Sequence, residues 1–160
     1  MLFRSPSHDI ADGHDLVSVR LLYRQEKSKE WNSVAMIAVG NDRWKGAFQC
    51  TEEGNWLYSV QAYIDHPQSW LHNFRKRLSE NNPQEWKVQL QIGVHLLNQI
   101  QLQYPKEKTV IQKWIKTLGD SNLELACQTA CSEELEFYFQ NFPLIENPSN
   151  FEGRSGEKLS

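Results

Sequence analysis

Residues 54–71 read GNWLYSVQAYIDHPQSWL, and the period of the pattern changes partway along. From Trp56 to Ile64 apolar residues recur at every second position. Trp56, Tyr58, Val60, Ala62 and Ile64 therefore line one side of an extended strand. Gly54-Asn55 in front is turn chemistry, because both residues tolerate a positive φ. Asp65 behind it can cap free amides and Pro67 suits a first helical turn, so a helix is expected to start there. The chain reads as strands before this point and helices after it.

Outward to the N-terminal side, period two continues. Val17, Val19, Leu21 and Tyr23 alternate with more polar neighbours, a segment from Trp31 to Val39 follows, and Arg43 to Gln49 sets Trp44, Gly46 and Phe48 on one face. Gly40-Asn41-Asp42 and Glu53-Gly54-Asn55 supply turns, so four strands in sequence predict an antiparallel meander. Trp44, Phe48, Trp56 and Tyr58 could stack on a ligand or fill a core. They alternate in step with neighbouring strands, as core residues do, so Trp44→Ala is expected to cost about 3–5 kcal/mol.

Outward to the C-terminal side, helical spacing governs. Asn81-Asn82-Pro83 ends a first helix. Trp86, Leu90, Val94, Leu97, Ile100 and Tyr104, flanked by Val88, Ile92 and Leu96, give a second helix with a broad apolar face. A third is expected from Lys106 to Leu118 with Val110, Trp114 and Leu118 on one stripe and Gly119 as its stop. Ser121-Asn-Leu-Glu124 matches a capping box. A last helix from Glu133 to Phe142 turns Leu135, Phe139 and Phe142 inward and halts at Pro143. The fold class is α+β: an antiparallel, sandwich-like sheet followed by a helical bundle. The expected divisions are a sheet subdomain over 1–65, a helical bundle over 66–142, and a polar, flexible tail over 143–160, disordered after Phe151.

The 160 residues carry a net charge of −3 with 39% hydrophobic and 23% charged residues. That balance describes a folded globular chain and gives no electrostatic reason to expect nucleic acid or an anionic membrane as partner. No apolar run approaches the roughly 20 residues that span a bilayer. The start MLFRSPSHDIADGHD has no apolar signal core, so the expected setting is the cytoplasm. Cys50, Cys127 and Cys131 are too few for a disulfide framework and read as buried, inert thiols.

Several polar groups have side chains suited to chemistry. His8, Asp9, Asp12, His14 and Asp15 could hold a metal, but the same residues are ordinary turn formers before a strand. Asp42, Glu52, Glu53 and Asp65 could supply a glycosidase-like acid pair, yet nothing in their spacing sets two of them across one cleft. Arg75-Lys76-Arg77 reads as a solvated helix face, and His95 falls with Gln91 and Gln99 on a polar side. No nucleotide-binding or nucleophile motif is present. No catalytic, metal-binding or cofactor-binding residue is assigned, no cofactor is expected, and the reading is a non-catalytic module.

Several motifs in one order then carry a resemblance. Asp12-Gly13-His14-Asp15, Leu22-Tyr23, Trp31, Met36, Asn41-Asp42-Arg43-Trp44, Tyr58, Ala62, Asp65 and Trp70 occupy the places of a recurrent pattern, and QLQIGVHLL follows further on. This sequence resembles the N-terminal region of bacterial α-1,4-glucan:maltose-1-phosphate maltosyltransferases, over about residues 9–100 most clearly. Tyr63 stands where that family usually has tryptophan. The resemblance implies an immunoglobulin-like sandwich with an inserted helical bundle, coupled in family members to an amylase-type barrel. That barrel transfers maltosyl units from maltose 1-phosphate to an α-glucan in glycogen-like polymer synthesis, and it holds the catalytic acids.

The resemblance further implies a homodimer supported by this region, with maltose 1-phosphate and α-glucan met only through the barrel. Relative to the pattern the chain reads as truncated at both ends, stopping short of a returning sheet strand. The chain alone is therefore expected to be inactive, and to be poorly soluble or oligomeric because a sheet missing strands leaves unpaired edges. Two other readings stay open: a free-standing α-glucan-binding module, or a protein-interaction domain.

Overall fold

The computed structural model describes residues 2–4, 15–50 and 53–154. The chain divides into two compact units, one formed by the segments up to Ile64 and from Ile145 on, the other by Asp65–Leu144.

The first unit is a pair of antiparallel sheets. Its strands are β1 (Leu2–Arg4), β2 (Val17–Gln25), β3 (Asn32–Ala35), β4 (Ile37–Gly40), β5 (Arg43–Lys45), β6 (Trp56–Ile64) and β7 (Ser149–Arg154). They order as β1-β5-β4 in one sheet and β3-β2-β6-β7 in the other. The sequential meander is thus corrected. β2 pairs with β6 along its whole length, Val17 opposite Ile64 and Gln25 opposite Trp56, so β6 joins β2 and not its predecessor β5.

The segment Trp31–Val39, expected as one strand, divides at Met36. Asn32–Ala35 pairs with β2, while Ile37–Gly40 pairs with β5 in the other sheet. Met36 is 5% exposed and its N–H donates to the Val19 carbonyl at 2.9 Å, which pins the crossover into the core. Gly46 makes room for it: a β-carbon there would lie 2.9 Å from Met36 Cγ. The tight turn after β4 needs positive φ at Gly40, Asn41 and Asp42 (92°, 52° and 58°), which glycine, asparagine and aspartate tolerate best.

Val19, Leu21, Met36, Tyr58, Val60 and Ala62 form the core of this unit, with Trp44 of the three-stranded sheet and Phe151 of β7 packed against it. Both sheets therefore share one apolar layer, as a sandwich requires. The tail over 143–160, expected to be flexible, is a second correction. Residues 149–154 return as β7, with Phe151 opposite Val60 and Ser149 opposite Ala62. The alternation in SNFEGR is short, and its pairing partner lies far back in sequence, so local pattern alone does not reveal it.

The second unit is helical: α1 (His66–Leu78), α2 (Pro83–Gln103), a 3-10 turn (Pro105–Glu107), α3 (Lys108–Leu118), α4 (Leu123–Ala130) and α5 (Glu133–Asn141). α1, α2, α4 and α5 each start on a side-chain cap, while α3 has none. Asp65 accepts from Gln68 N, Asn82 from Glu85 N, Asn122 from Leu125 N and Ser132 from Leu135 N. The capping box at Ser121 is therefore corrected by one position: Asn122 is the cap, held by its own N–H donating to Asp120 Oδ1 at 2.8 Å.

Trp70, Phe74, Leu97, Ile100, Ile111, Leu135 and Phe139 fill the helical core. On α3 the buried positions are Ile111 and Leu118, while Val110 is exposed. Val88 and Ile92 on α2 also face solvent, so the broad apolar face of the sequence is not wholly buried. Tyr104 donates its hydroxyl to the Pro143 carbonyl and Tyr138 to Glu107 Oε1, each at 2.9 Å, tying the chain after α5 and the α5 helix itself to the turn that follows α2.

Candidate functional site

The aromatic residues that could have formed a sugar platform are used in packing. Tyr23 and Phe48 stack with centroids 4.4 Å apart and planes 10° from parallel, and Trp56 leans on both. Trp56 and Tyr58 are buried, while Trp44 and Phe48 are half-buried against the same core. Such offset stacks contribute beyond the area they bury, and they leave these faces occupied.

One tryptophan of the sheet unit behaves differently. Trp31 is 43% exposed, and the Arg24 guanidinium lies 4.9 Å from its ring centroid. Arg24 Nη1 also donates to the carbonyls of Gln25, Glu26 and Ser28, so the loop between β2 and β3 wraps its charge.

The carboxylates of the sequence reading have separate tasks. Asp42 sits exposed in the tight turn after β4, and Glu53 is exposed in the loop before β6. Asp65 is buried as the cap of α1, its Oδ1 accepting from Gln68 N at 3.1 Å. Glu52 lies outside the described residues, as do His8, Asp9, Asp12 and His14; Asp15 is exposed. Among the described residues no three His, Cys, Asp or Glu side chains gather in one place.

The basic run on α1 is divided by ion pairs. Arg75 meets Glu136 of α5 at 3.1 Å and Arg77 meets Glu85 of α2 at 2.9 Å. His95 is exposed on α2, as expected. Cys50 is exposed, which corrects its reading as a buried thiol; Cys127 is buried and Cys131 half-buried.

Sequence reasoning missed two surface features. The first is an apolar cleft of about 480 Å³ in the helical unit, lined by Leu78, Trp86, Leu123, Cys127 and Cys131. Burial pushes both thiols up, and Arg75 opposes that only in part at Cys131. Protonated thiols on apolar walls suit an apolar contact better than nucleophilic chemistry. The second is the row of exposed apolar residues on α2, legible in retrospect from Val88, Ile92 and Leu102 lying outside the buried stripe. No helix among the described residues is long and apolar enough to cross a membrane.

Against this geometry the comparisons with known proteins are unambiguous. Residues 8–152 match the family described as α-1,4-glucan:maltose-1-phosphate maltosyltransferase, domain N/S. The maltosyltransferase of Methylacidiphilum infernorum is 32% identical over 138 residues, covering 86% of this chain and 18% of that protein. Its counterpart in Chlorobaculum tepidum is 30% identical over 125 residues, covering 78% of this chain and again 18% of the relative. That of Picrophilus torridus is 31% identical over 115 residues, or 69% and 17%. The chain thus spans less than a fifth of the length of the curated relatives it matches. It belongs to the family of α-1,4-glucan:maltose-1-phosphate maltosyltransferase N/S domains.

Proposed function

We propose that this chain is a non-catalytic structural and assembly module of a cytoplasmic maltosyltransferase. The parent enzyme in this reading carries maltosyl units from maltose 1-phosphate to an α-1,4-glucan, with the chemistry in a domain outside this chain. The observation that carries the reading is the match of residues 8–152 to domain N/S, at 18% of the length of the first two relatives named. The use of Trp56, Tyr58 and Asp65 in packing and capping supports a structural role for the residues most suited to sugar contact. Its partner is a second copy of the same module, and both substrates are met only through the catalytic domain.

The test is phosphate release from maltose 1-phosphate with a short maltooligosaccharide as acceptor. The chain alone releases none above background, and steady turnover by it overturns the reading. A second reading, an α-glucan-binding module, is favoured by exposed Trp31 with Arg24 against its ring. A saturable change in tryptophan fluorescence with maltooligosaccharides, lost in Trp31→Ala, would select it.

A further inference from the structure

Helix α4 and the residue that ends it carry two thiols into one cleft. The Cys131 N–H donates to the Cys127 carbonyl at 3.1 Å, so the two residues stand one helical turn apart. Both line the apolar cleft of the helical unit, together with Leu78, Trp86 and Leu123. Cys127 is 8% exposed and Cys131 half-buried, so the approach from solvent is at Cys131.

Their spacing is wrong for one bond and right for two. Residues four apart on a helix hold their β-carbons about 5–6 Å apart, whereas a disulfide needs about 3.5–4.5 Å. One atom between the sulfurs removes the mismatch. Two metal–sulfur bonds of about 2.3 Å, the length of zinc thiolates, let the sulfurs stand as much as about 4.6 Å apart. We propose that Cys127 and Cys131 form a two-coordinate site for a soft monovalent metal ion, copper(I), held between their thiolates in the cleft.

The surroundings select among metals. No third His, Cys, Asp or Glu joins the pair among the described residues. Zinc asks for four ligands and hard ions ask for oxygen, whereas copper(I) favours thiolate and accepts two in line. Leu78 and Leu123 offer no ligand atom, and the Trp86 indole N–H is engaged with the Arg77 carbonyl at 3.2 Å. Binding is an exchange without redox. Each thiol releases its proton to solvent as its metal–sulfur bond forms, so two protons leave for one ion and the product carries one negative charge. The Arg75 guanidinium, paired with Glu136 at 3.1 Å, also acts on Cys131 and offsets part of that charge. The site stands apart from the assembly role proposed above and does not depend on it.

Anaerobic titration of the full chain carrying Cys50→Ser tests it, with copper(I) delivered as its acetonitrile complex against a chromogenic copper(I) chelator. One ion per chain should bind, and X-ray absorption should show two sulfur neighbours. Cys131→Ser should weaken binding roughly a hundredfold or more, because the second thiolate acts as a tethered ligand. Bound copper(I) should also slow the alkylation of Cys127 and Cys131 together, a readout that needs no substitution at buried Cys127. Undiminished binding in Cys131→Ser overturns the site, as does alkylation of either thiol at an unchanged rate with copper(I) present. Zinc bound as tightly as copper(I), or three or four sulfur neighbours around the copper, overturns it as well.

Discussion

The Trp70 indole occupies the space that a side chain at Gly93 would need. A β-carbon built on Gly93 would come within 2.6 Å of Trp70 Cη2, and the indole N–H donates to the Gln89 carbonyl at 2.8 Å one turn earlier. Trp70 also meets Phe74 and Phe139, so it links α1, α2 and α5. Gly93→Ala should therefore destabilise the helical unit. Helix propensity favours alanine by about 1 kcal/mol, but overpacking against a fixed ring costs about 1–3 kcal/mol. Chemical denaturation reads the net loss, and a stabilised variant would mean that the ring has room to move.

In the sheet unit the depth of each tryptophan separates two substitutions. Trp56 is buried and touches both Tyr23 and Phe48, so Trp56→Ala should cost about 3–5 kcal/mol. Trp44 is only half-buried, so Trp44→Ala should cost less, about 1–2 kcal/mol. Equal losses in urea melts would show that Trp44 seals the core more tightly than its exposure implies.

Alkaline pH should unfold the chain through three groups. Burial raises the Cys127 and Cys131 thiols above their ordinary 9.0, and it raises the Tyr138 phenol well above 10.0 with further help from the Glu107 carboxylate. The unfolded chain gives up these protons first as pH rises, so the folded state holds more protons there and stability falls. The contribution is fully present below the ordinary thiol value and is lost progressively above it. Urea midpoints measured between about pH 8 and pH 11 should decline, and less steeply in Tyr138→Phe. A flat profile would contradict the burial of these groups.

The returning strand gives a fourth expectation. Phe151 lies opposite Val60, which is fully buried, and packs on the sheet core. Phe151→Asp should cost about 1–3 kcal/mol, and a chain ending at Leu144 should lose the partner of β6 and aggregate through that edge. Light scattering of the shortened chain checks this, and a clear monomeric solution would show that β6 does not need β7.

Local pattern made the elements legible but not their partners. The alternation from Trp56 to Ile64 and the change at Asp65 were both plain, because a pleat and a capped helix each leave a short-range signature. Met36 left none: its switch between sheets depends on Val19 and Gly46, which lie far from it along the chain. β7 was hidden for the same reason. On α2 the surplus of apolar residues was visible, but whether Val88 and Ile92 point inward is decided by helix packing and not by period. Of the candidate site residues, Asp65 kept a role, as a cap, and His95 kept its exposed place. Cys127 and Cys131 share a cleft whose other walls, Leu78 and Trp86, come from helices with no sequence link to α4.

The helical unit enters after β6 and leaves before β7, whose residues Ala62 and Ser149 face each other across the ladder. Kinetically, the last strand cannot zip onto the sheet until the intervening chain has been drawn together. Closing so long a flexible loop is slow, though each doubling of length adds only about 0.6 kcal/mol. A bundle that condenses first brings its own two ends near each other and turns that search into a short one. Sheet completion should then keep time with helix condensation, so a substitution such as Gly93→Ala, remote from every strand, would delay the arrival of β7.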